Sequence, residues 1–380
     1  MPAGETSDFL MRQASGTSTN PTAAPMHMDM TQRGDWMLML HGAAFINQVW
    51  QSGPRGGDKL FSTNWAMGMA GRPLFGGYLM LRSMLSLEPA TITNRSYPEL
   101  FQTGETAFGR PLRDAQHPHD FFMELAAEYA YPIAPETIGY VYLAPMGDPA
   151  LGPVAYPHRA SAAELPQATL GHHTQDSTHI AANVITAGAK RGIFGAAVST
   201  FHGGEPDERR WDIESGGIDS WSIRLTADPT PNWTAQISTG HLDHPEQLHA
   251  GNVQRTTASL GYSASTSLGI WSSSLIFGRN DKPHAATSSW GAETLLQVAE
   301  KNWLTARAEI VDKDELAEDA IYRVKAITLG YTRDVWSNAK IVGGVGGNFT
   351  LYDFPSALEL SYGSNPRSLY LYARFRNAGH

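Results

Sequence analysis

Residues 302–312, Asn-Trp-Leu-Thr-Ala-Arg-Ala-Glu-Ile-Val-Asp, carry two faces that alternate residue by residue. Leu304, Ala306, Ala308 and Ile310 make one face, and Thr305, Arg307 and Glu309 make the other. A period of two belongs to an extended strand whose side chains point alternately to opposite sides. Residues 367–376 repeat the pattern, with Leu369, Leu371, Ala373 and Phe375 set against Tyr370, Tyr372, Arg374 and Arg376. So do residues 119–130, where Phe121, Met123, Leu125 and Tyr129 oppose Asp120, Glu124 and Glu128.

Working outward, sixteen runs of this kind are expected from Asp35 onward. They are 36–50, 61–70, 77–88, 119–130, 137–144, 178–189, 192–202, 218–228, 232–241, 253–265, 268–279, 287–300, 302–312, 320–333, 338–351 and 367–376. The connections after even-numbered runs are short, as at Lys190–Arg191, Thr266–Ser267 and Lys301. Those after odd-numbered runs are mostly long: 89–118, 145–177, 203–217, 242–252, 280–286 and 352–366. Short turns at one end and long loops at the other are the mark of a transmembrane antiparallel β-barrel of the bacterial outer membrane. With an even strand count, both ends of the barrel chain fall on the periplasmic side.

Tryptophan placement agrees. Trp36, Trp233, Trp271, Trp303 and Trp336 fall near expected periplasmic ends, and Trp50, Trp65, Trp211, Trp221 and Trp290 near extracellular ends. Two girdles at headgroup depth are expected from an amphipathic ring.

The rest of the composition removes alternatives. No apolar run approaches the roughly 20 residues of a membrane-spanning helix. The chain has no cysteine, which excludes disulfides, thiolate metal sites and cysteine nucleophiles. A net charge of −9 argues against a nucleic-acid partner. The expected partners are outer-membrane lipid and small solutes or metal ions, with a homo-oligomer or a periplasmic partner also possible. Residues 1–34 are rich in Ser, Thr, Gly, Pro and Met without periodicity, and read as a disordered tail before a barrel over 35–380. Met1–Asn20 has no apolar core of the kind an export signal carries, so an exported form is expected to have lost its signal already.

A charge on the lipid face is costly, so the polar set must face inward. At sixteen strands side chains cannot fill the interior, and water, a loop or a plug must. The inward polar groups are read as Asp120, Glu124, Glu128, His179 and Asn183 on one wall. Arg224, Arg307, Glu309, Arg323, Lys325, Arg374 and Arg376 lie elsewhere. Opposed acidic and basic walls would place a transverse field across a constriction. The competing reading is that these charges neutralise one another inside a plugged barrel.

Eleven of the 14 histidines fall in expected extracellular loops or beside them. The densest stretches are Arg113–Asp120, with His117 and His119, and Gly171–His179, with His172, His173 and Asp176. Imidazole and carboxylate together suit zinc, copper or nickel. Hydrogen-bonded braces that fold the loops inward would use the same residues. In the tail, Met26, His27, Met28 and Met30 supply thioether and imidazole donors suited to copper. Loop 203–217 carries five carboxylates interleaved with Arg209 and Arg210, which reads as salt-bridged structure more than a calcium loop, since no EF-hand spacing is present. No P-loop or Gly-x-Ser-x-Gly elbow occurs, so no catalytic residue is assigned. A membrane-embedded hydrolase built from His179 or His202 with a nearby serine is the alternative from another class, and a structural barrel whose loops dock a partner is a third.

The stretches RDAQHPHDFFMELAA (Arg113–Ala127), DPALGP (Asp148–Pro153), PHRAS (Pro157–Ser161), HHTQDSTH (His172–His179) and DIESGGIDSWSIR (Asp212–Arg224) resemble a largely uncharacterised group of porin-like bacterial outer-membrane barrels. The group is loosely associated with copper or heavy-metal resistance. The resemblance implies a porin-like channel for small solutes or metal ions, with copper or zinc as the metal, and defines no reaction.

Overall fold

In the computed structural model, which describes residues 2–176, 181–246, 251–283, 285–317 and 320–379, sixteen long antiparallel strands close into one barrel. The first eight are β1 (Trp36–Gln51), β2 (Asp58–Leu74), β3 (Gly77–Leu85), β4 (Phe122–Ala134), β5 (Thr137–Met146), β6 (Ala182–Arg191), β7 (Phe194–His202) and β8 (Ser220–Thr230). The remainder are β9 (Trp233–Leu242), β10 (Val253–Ser265), β11 (Ile270–Asp281), β12 (Ala286–Val298), β13 (Asn302–Lys313), β14 (Tyr322–Ser337), β15 (Ile341–Asp353) and β16 (Arg367–Asn377). Each lies where the alternation puts it. β16 pairs with β1, for example Leu371 opposite Gln48, so the wall has no free strand edge.

The outer face is apolar at strand after strand: Leu304, Ile310, Ile327, Leu329, Leu369 and Leu371 are all exposed. Such a surface has no favourable solvent in water and requires hydrocarbon. Trp50, Trp221 and Trp290 are exposed at the long-loop end, and Trp233, Trp271 and Trp336 at the short-turn end. Two tryptophans depart from the expected girdles. Trp303 turns inward and donates to Asp334 at 3.2 Å, and the Trp65 ring packs 4.1 Å from that of His158 inside the barrel.

Three expected lumen residues are elsewhere. In β14 the inward positions go to the buried Val324, Ala326 and Thr328. Arg323 and Lys325 therefore point outward near the long-loop end, where they pair at 2.8 Å with Asp312 and Asp353 respectively. Charge is tolerated there because the rim lies at headgroup depth, not in hydrocarbon. Asn183 sits in a bulge of β6 with φ of +53° and donates to the Gly216 carbonyl, leaving Val184 and Thr186 to face inward.

Residues 2–33, expected as a disordered tail, are built into the lumen. A helix, α1 (Pro2–Met11), lies against β2, β3 and β4 and buries Leu10. Gln13 donates to Glu128 at 2.7 Å, and a tight hairpin through Gly16 follows. Gly16 has φ of +48°, and a Cβ there would sit 2.4 Å from Asp148 Cβ, so only glycine lets the hairpin meet the loop after β5. A short strand, Asp29–Arg33, then pairs beside β1 at the short-turn end. Low hydrophobicity misled the expectation: a few apolar residues, Phe9, Leu10, Met11 and Met28, pack on the wall, and polar contacts such as Gln13 to Glu128 hold the rest.

Candidate functional site

Two long loops fold into the barrel from the other end. The loop after β3 (86–121) carries a hairpin of Tyr97–Ala107 with Arg110–Gln116. The loop after β5 crosses the lumen, almost wholly buried over residues 147–176. It is fastened to distant parts of the wall. Arg159 pairs with Glu293 of β12 at 2.9 Å, Gln167 bonds Asn348 of β15, and Glu164 pairs with Arg374 of β16. Arg307 of β13 also donates to the Gln167 and Ala168 carbonyls, both at 3.2 Å.

These contacts decide how the lumen charges work. Glu124 pairs with Arg82 at 2.8 Å, Arg307 with Glu293 at 3.0 Å, and Arg376 with Asp334 at 3.5 Å. Arg224 donates to Thr17 at 2.6 Å, and Glu309 accepts from the Gly171 amide at 3.3 Å. Asp120 belongs to the loop, not the wall, and pairs with Arg210 at 3.3 Å. The wall charges are ion-paired or hydrogen-bonded to one another or to the inserted segments, so among the described residues no acidic wall faces a basic one across open space. His179 lies outside the described residues.

Where the 86–121 and 147–181 loops meet, His117, His172 and His173 converge, with one ligand atom of each within 4.8 Å of the others. His172 and His173 sit on a one-turn helix, His172–Gln175. His172 Nδ1 donates to Asp176 at 2.8 Å. Asp176 is itself held by Arg159 at 2.7 Å and the Tyr156 amide at 2.8 Å. His117 Nδ1 lies 3.0 Å from the Pro118 carbonyl. Glu105, from the loop hairpin, brings Oε1 to 3.1 Å from His117 Nε2, while its other oxygen is held by Arg210 of the loop after β7 (203–219). Glu205, from the same 203–219 loop, approaches His173 Nδ1 at 3.8 Å. Burial, then the neighbouring Arg210 and His173, pushes the His117 pKa well below its ordinary value. Burial and His172 do the same to His173, so both rings stay neutral.

His119 is not in this cluster. It pairs with Glu88 at 2.9 Å, a brace inside the 86–121 loop. Met26, His27, Met28 and Met30 do not form a free arm: Met28 is buried in an apolar cluster, Met30 is exposed on the short strand, and Met26 is largely exposed. Met26, His27 and Met28 instead border a cavity of about 190 Å³, opposite His41, Trp65 and His158. His202, the hydrolase candidate, donates to Asp219 at 2.6 Å, and Ser220 binds the same carboxylate at 2.7 Å, so serine and histidine share Asp219 and not a proton. Asp207, Asp212 and Glu214 cluster within 4.8 Å, with Arg209 bound to Asp207 and Asp212, the salt-bridged loop expected.

The sequence did not single out Glu105, Glu205, Arg159 or Gly104. Gly104 has φ of +117°, and a Cβ there would sit 2.5 Å from His173 Nε2. Nothing in Thr-Gly-Glu marks that contact, since it depends on a loop 69 residues onward in the chain.

No protein-family profile and no curated protein matches the chain. Solved structures do. An anion-selective porin from Comamonas acidovorans superposes with a TM-score of 0.58 at 12% identity, covering 90% of this chain and 99% of the other. The chain has the porin fold. Salmonella typhi OmpF, in complex with daunomycin, gives 0.58 at 11% identity over 92% and 100% of the two chains. OprB of Pseudomonas putida gives 0.54 at 8% identity over 90% and 94%. At these identities the likeness is one of porin architecture.

Proposed function

We propose that the chain is a porin-like channel of the bacterial outer membrane that admits small solutes or metal ions, with its long loops outside and its short turns in the periplasm. The observation that carries this is the 147–181 loop. Its residues 147–176 lie inside the barrel and are pinned to β12, β15 and β16, so that they occupy the lumen as an inserted loop. The N-terminal segment occupies the lumen as well, entering from the short-turn end. The expected transverse field is not part of the reading, because the wall charges are ion-paired or hydrogen-bonded locally.

A small basal flux follows, larger when the N-terminal segment is absent. Planar-bilayer conductance of the whole chain and of a variant lacking residues 2–28 tests this, after heat-modifiable gel mobility has shown both barrels closed. Steps that grow in the truncated variant support a channel. Silence from both folded proteins overturns it. The copper association implied by the sequence resemblance gains no support from the placement of Met26–Met30.

A further inference from the structure

We propose that His117, His172 and His173, with Glu105 as a fourth donor, form a binding site for a single divalent transition-metal ion of the zinc type. The site lies inside the lumen where the 86–121 and 147–181 loops meet, and it stands whether or not the barrel conducts.

The first argument is an unresolved contact. A carbonyl oxygen can only accept, so the 3.0 Å approach of His117 Nδ1 to Pro118 places the ring hydrogen on Nδ1. The lone pair of the neutral ring is then on Nε2, which faces Glu105 Oε1 at 3.1 Å. Among the described residues neither atom has a hydrogen-bond partner. Two buried acceptors at that separation repel unless a proton or a metal cation lies between or beside them. The separation also matches two donors on one ion, because tetrahedral ligands about 2.0–2.1 Å from zinc sit roughly 3.4 Å apart.

The second argument is the orientation of the rings. His172 gives Nδ1 to Asp176, and Asp176 is fixed by Arg159 and the Tyr156 amide. A carboxylate or carbonyl holding the far nitrogen is how proteins set the tautomer of a metal-binding histidine. Both His117 and His172 have that support. Glu105 has its own, since Arg210 holds its second oxygen.

The third argument is His173. Both of its ring nitrogens are buried and neither makes a hydrogen bond. The ring is nonetheless held in place, packed on the bare backbone of Gly104 next to Glu105. A buried polar group without a partner is unfavourable, and one side chain positioned this tightly for nothing is unusual in a folded protein. An ion accepting its lone pair removes the deficit.

The donor set is three imidazoles and a carboxylate, with no sulfur among them. That selects a borderline ion over a soft monovalent one or an oxygen-loving one. Among the three imidazoles the present spacing is up to 4.8 Å, so closure needs each ring to move by about 1 Å, with Glu105 joining from its place beside His117. A bound ion would tie the 86–121 loop to the 147–181 loop.

The test uses the whole chain, free of any histidine tag, in detergent and stripped with chelator. Titration with zinc sulfate, read by calorimetry and by metal analysis after desalting, is expected to give one tight ion per chain. Cobalt(II) in place of zinc is expected to give the visible absorption of a tetrahedral nitrogen–oxygen site. His173→Gln and His117→Ala should each weaken zinc by 100-fold or more, and Asp176→Asn by 10- to 100-fold, while His202→Ala leaves it unchanged. Each variant is first checked for heat-modifiable mobility. Absence of the cobalt band in the unaltered protein, or zinc affinity that survives both His173→Gln and His117→Ala, would overturn the proposal.

Discussion

Arg159, on the loop that crosses the lumen, lies 2.9 Å from Glu293 on the far wall. The same guanidinium holds Asp176 at 2.7 Å, so one side chain fixes both the loop and its histidine-bearing end. Arg159→Met leaves buried carboxylates short of their partner and is expected to cost about 3–5 kcal/mol. Arg159→Lys should recover only part of this, since an ammonium cannot span two carboxylates as a planar fork does. Thermal unfolding and protease nicking within 147–176 report it. An unmoved midpoint and an uncut loop would show that the loop is held by other contacts.

Leu10 is the apolar anchor of the inserted N-terminal segment, buried with Met80, Met84 and Tyr140. Leu10→Ala is expected to weaken docking of that segment by about 2–5 kcal/mol without opening the barrel. Limited proteolysis should then remove the first residues while gel mobility of the folded barrel persists. Full protection of residues 2–20 in the variant would contradict this.

Leu329 and Arg323 both point outward from β14, at mid-wall and at the rim. Leu329 is 62% exposed to what should be hydrocarbon. Leu329→Arg is expected to cost about 2–4 kcal/mol in a bilayer, whereas Arg323→Leu should change little. Urea-dependent folding into lipid vesicles measures both. Equal effects would mean that the outer face is not sorted by membrane depth.

Asp120 has its pKa pushed up to about 7, by burial first and by Glu105 among its neighbours, against the pull of Arg210. A carboxyl that holds its proton more tightly when folded binds more protons in the native state between its ordinary pKa and about 7. Its contribution to stability therefore falls as pH rises through that window and is least favourable above it. Asp120→Asn keeps the neutral form at every pH and should flatten the decline. Thermal midpoints at pH 5 and pH 8 test this; a decline of the same size in the variant would assign it to other groups.

The wall was legible because hydrocarbon on one side and polar contents on the other force every strand into a period of two, as Leu304 and Arg307 show from opposite faces. Arg323 and Lys325 were misassigned because that rule relaxes at the rim, where either face tolerates charge. The histidine pair 172–173 and His117 stood out by density alone. Their convergence did not, since it depends on loops that meet only after the barrel closes. Arg82 carried a readable signal that was passed over, a single charge inside the apolar run Gly77–Leu85. Glu105 and Gly104 carried none. The N-terminal segment was unreadable for a different reason: its order comes from partners such as Glu128 and Arg224, not from its own pattern.

The inserted segment is continuous in chain with the wall through the short strand Asp29–Arg33 and the turn into β1, both at one mouth of the barrel. Its chain runs into the wall at that one mouth, so it is seated as a cork is. The ring can be completed, with β16 zipped onto β1, before the cork goes in. It can also come out again without parting any two of the sixteen wall strands.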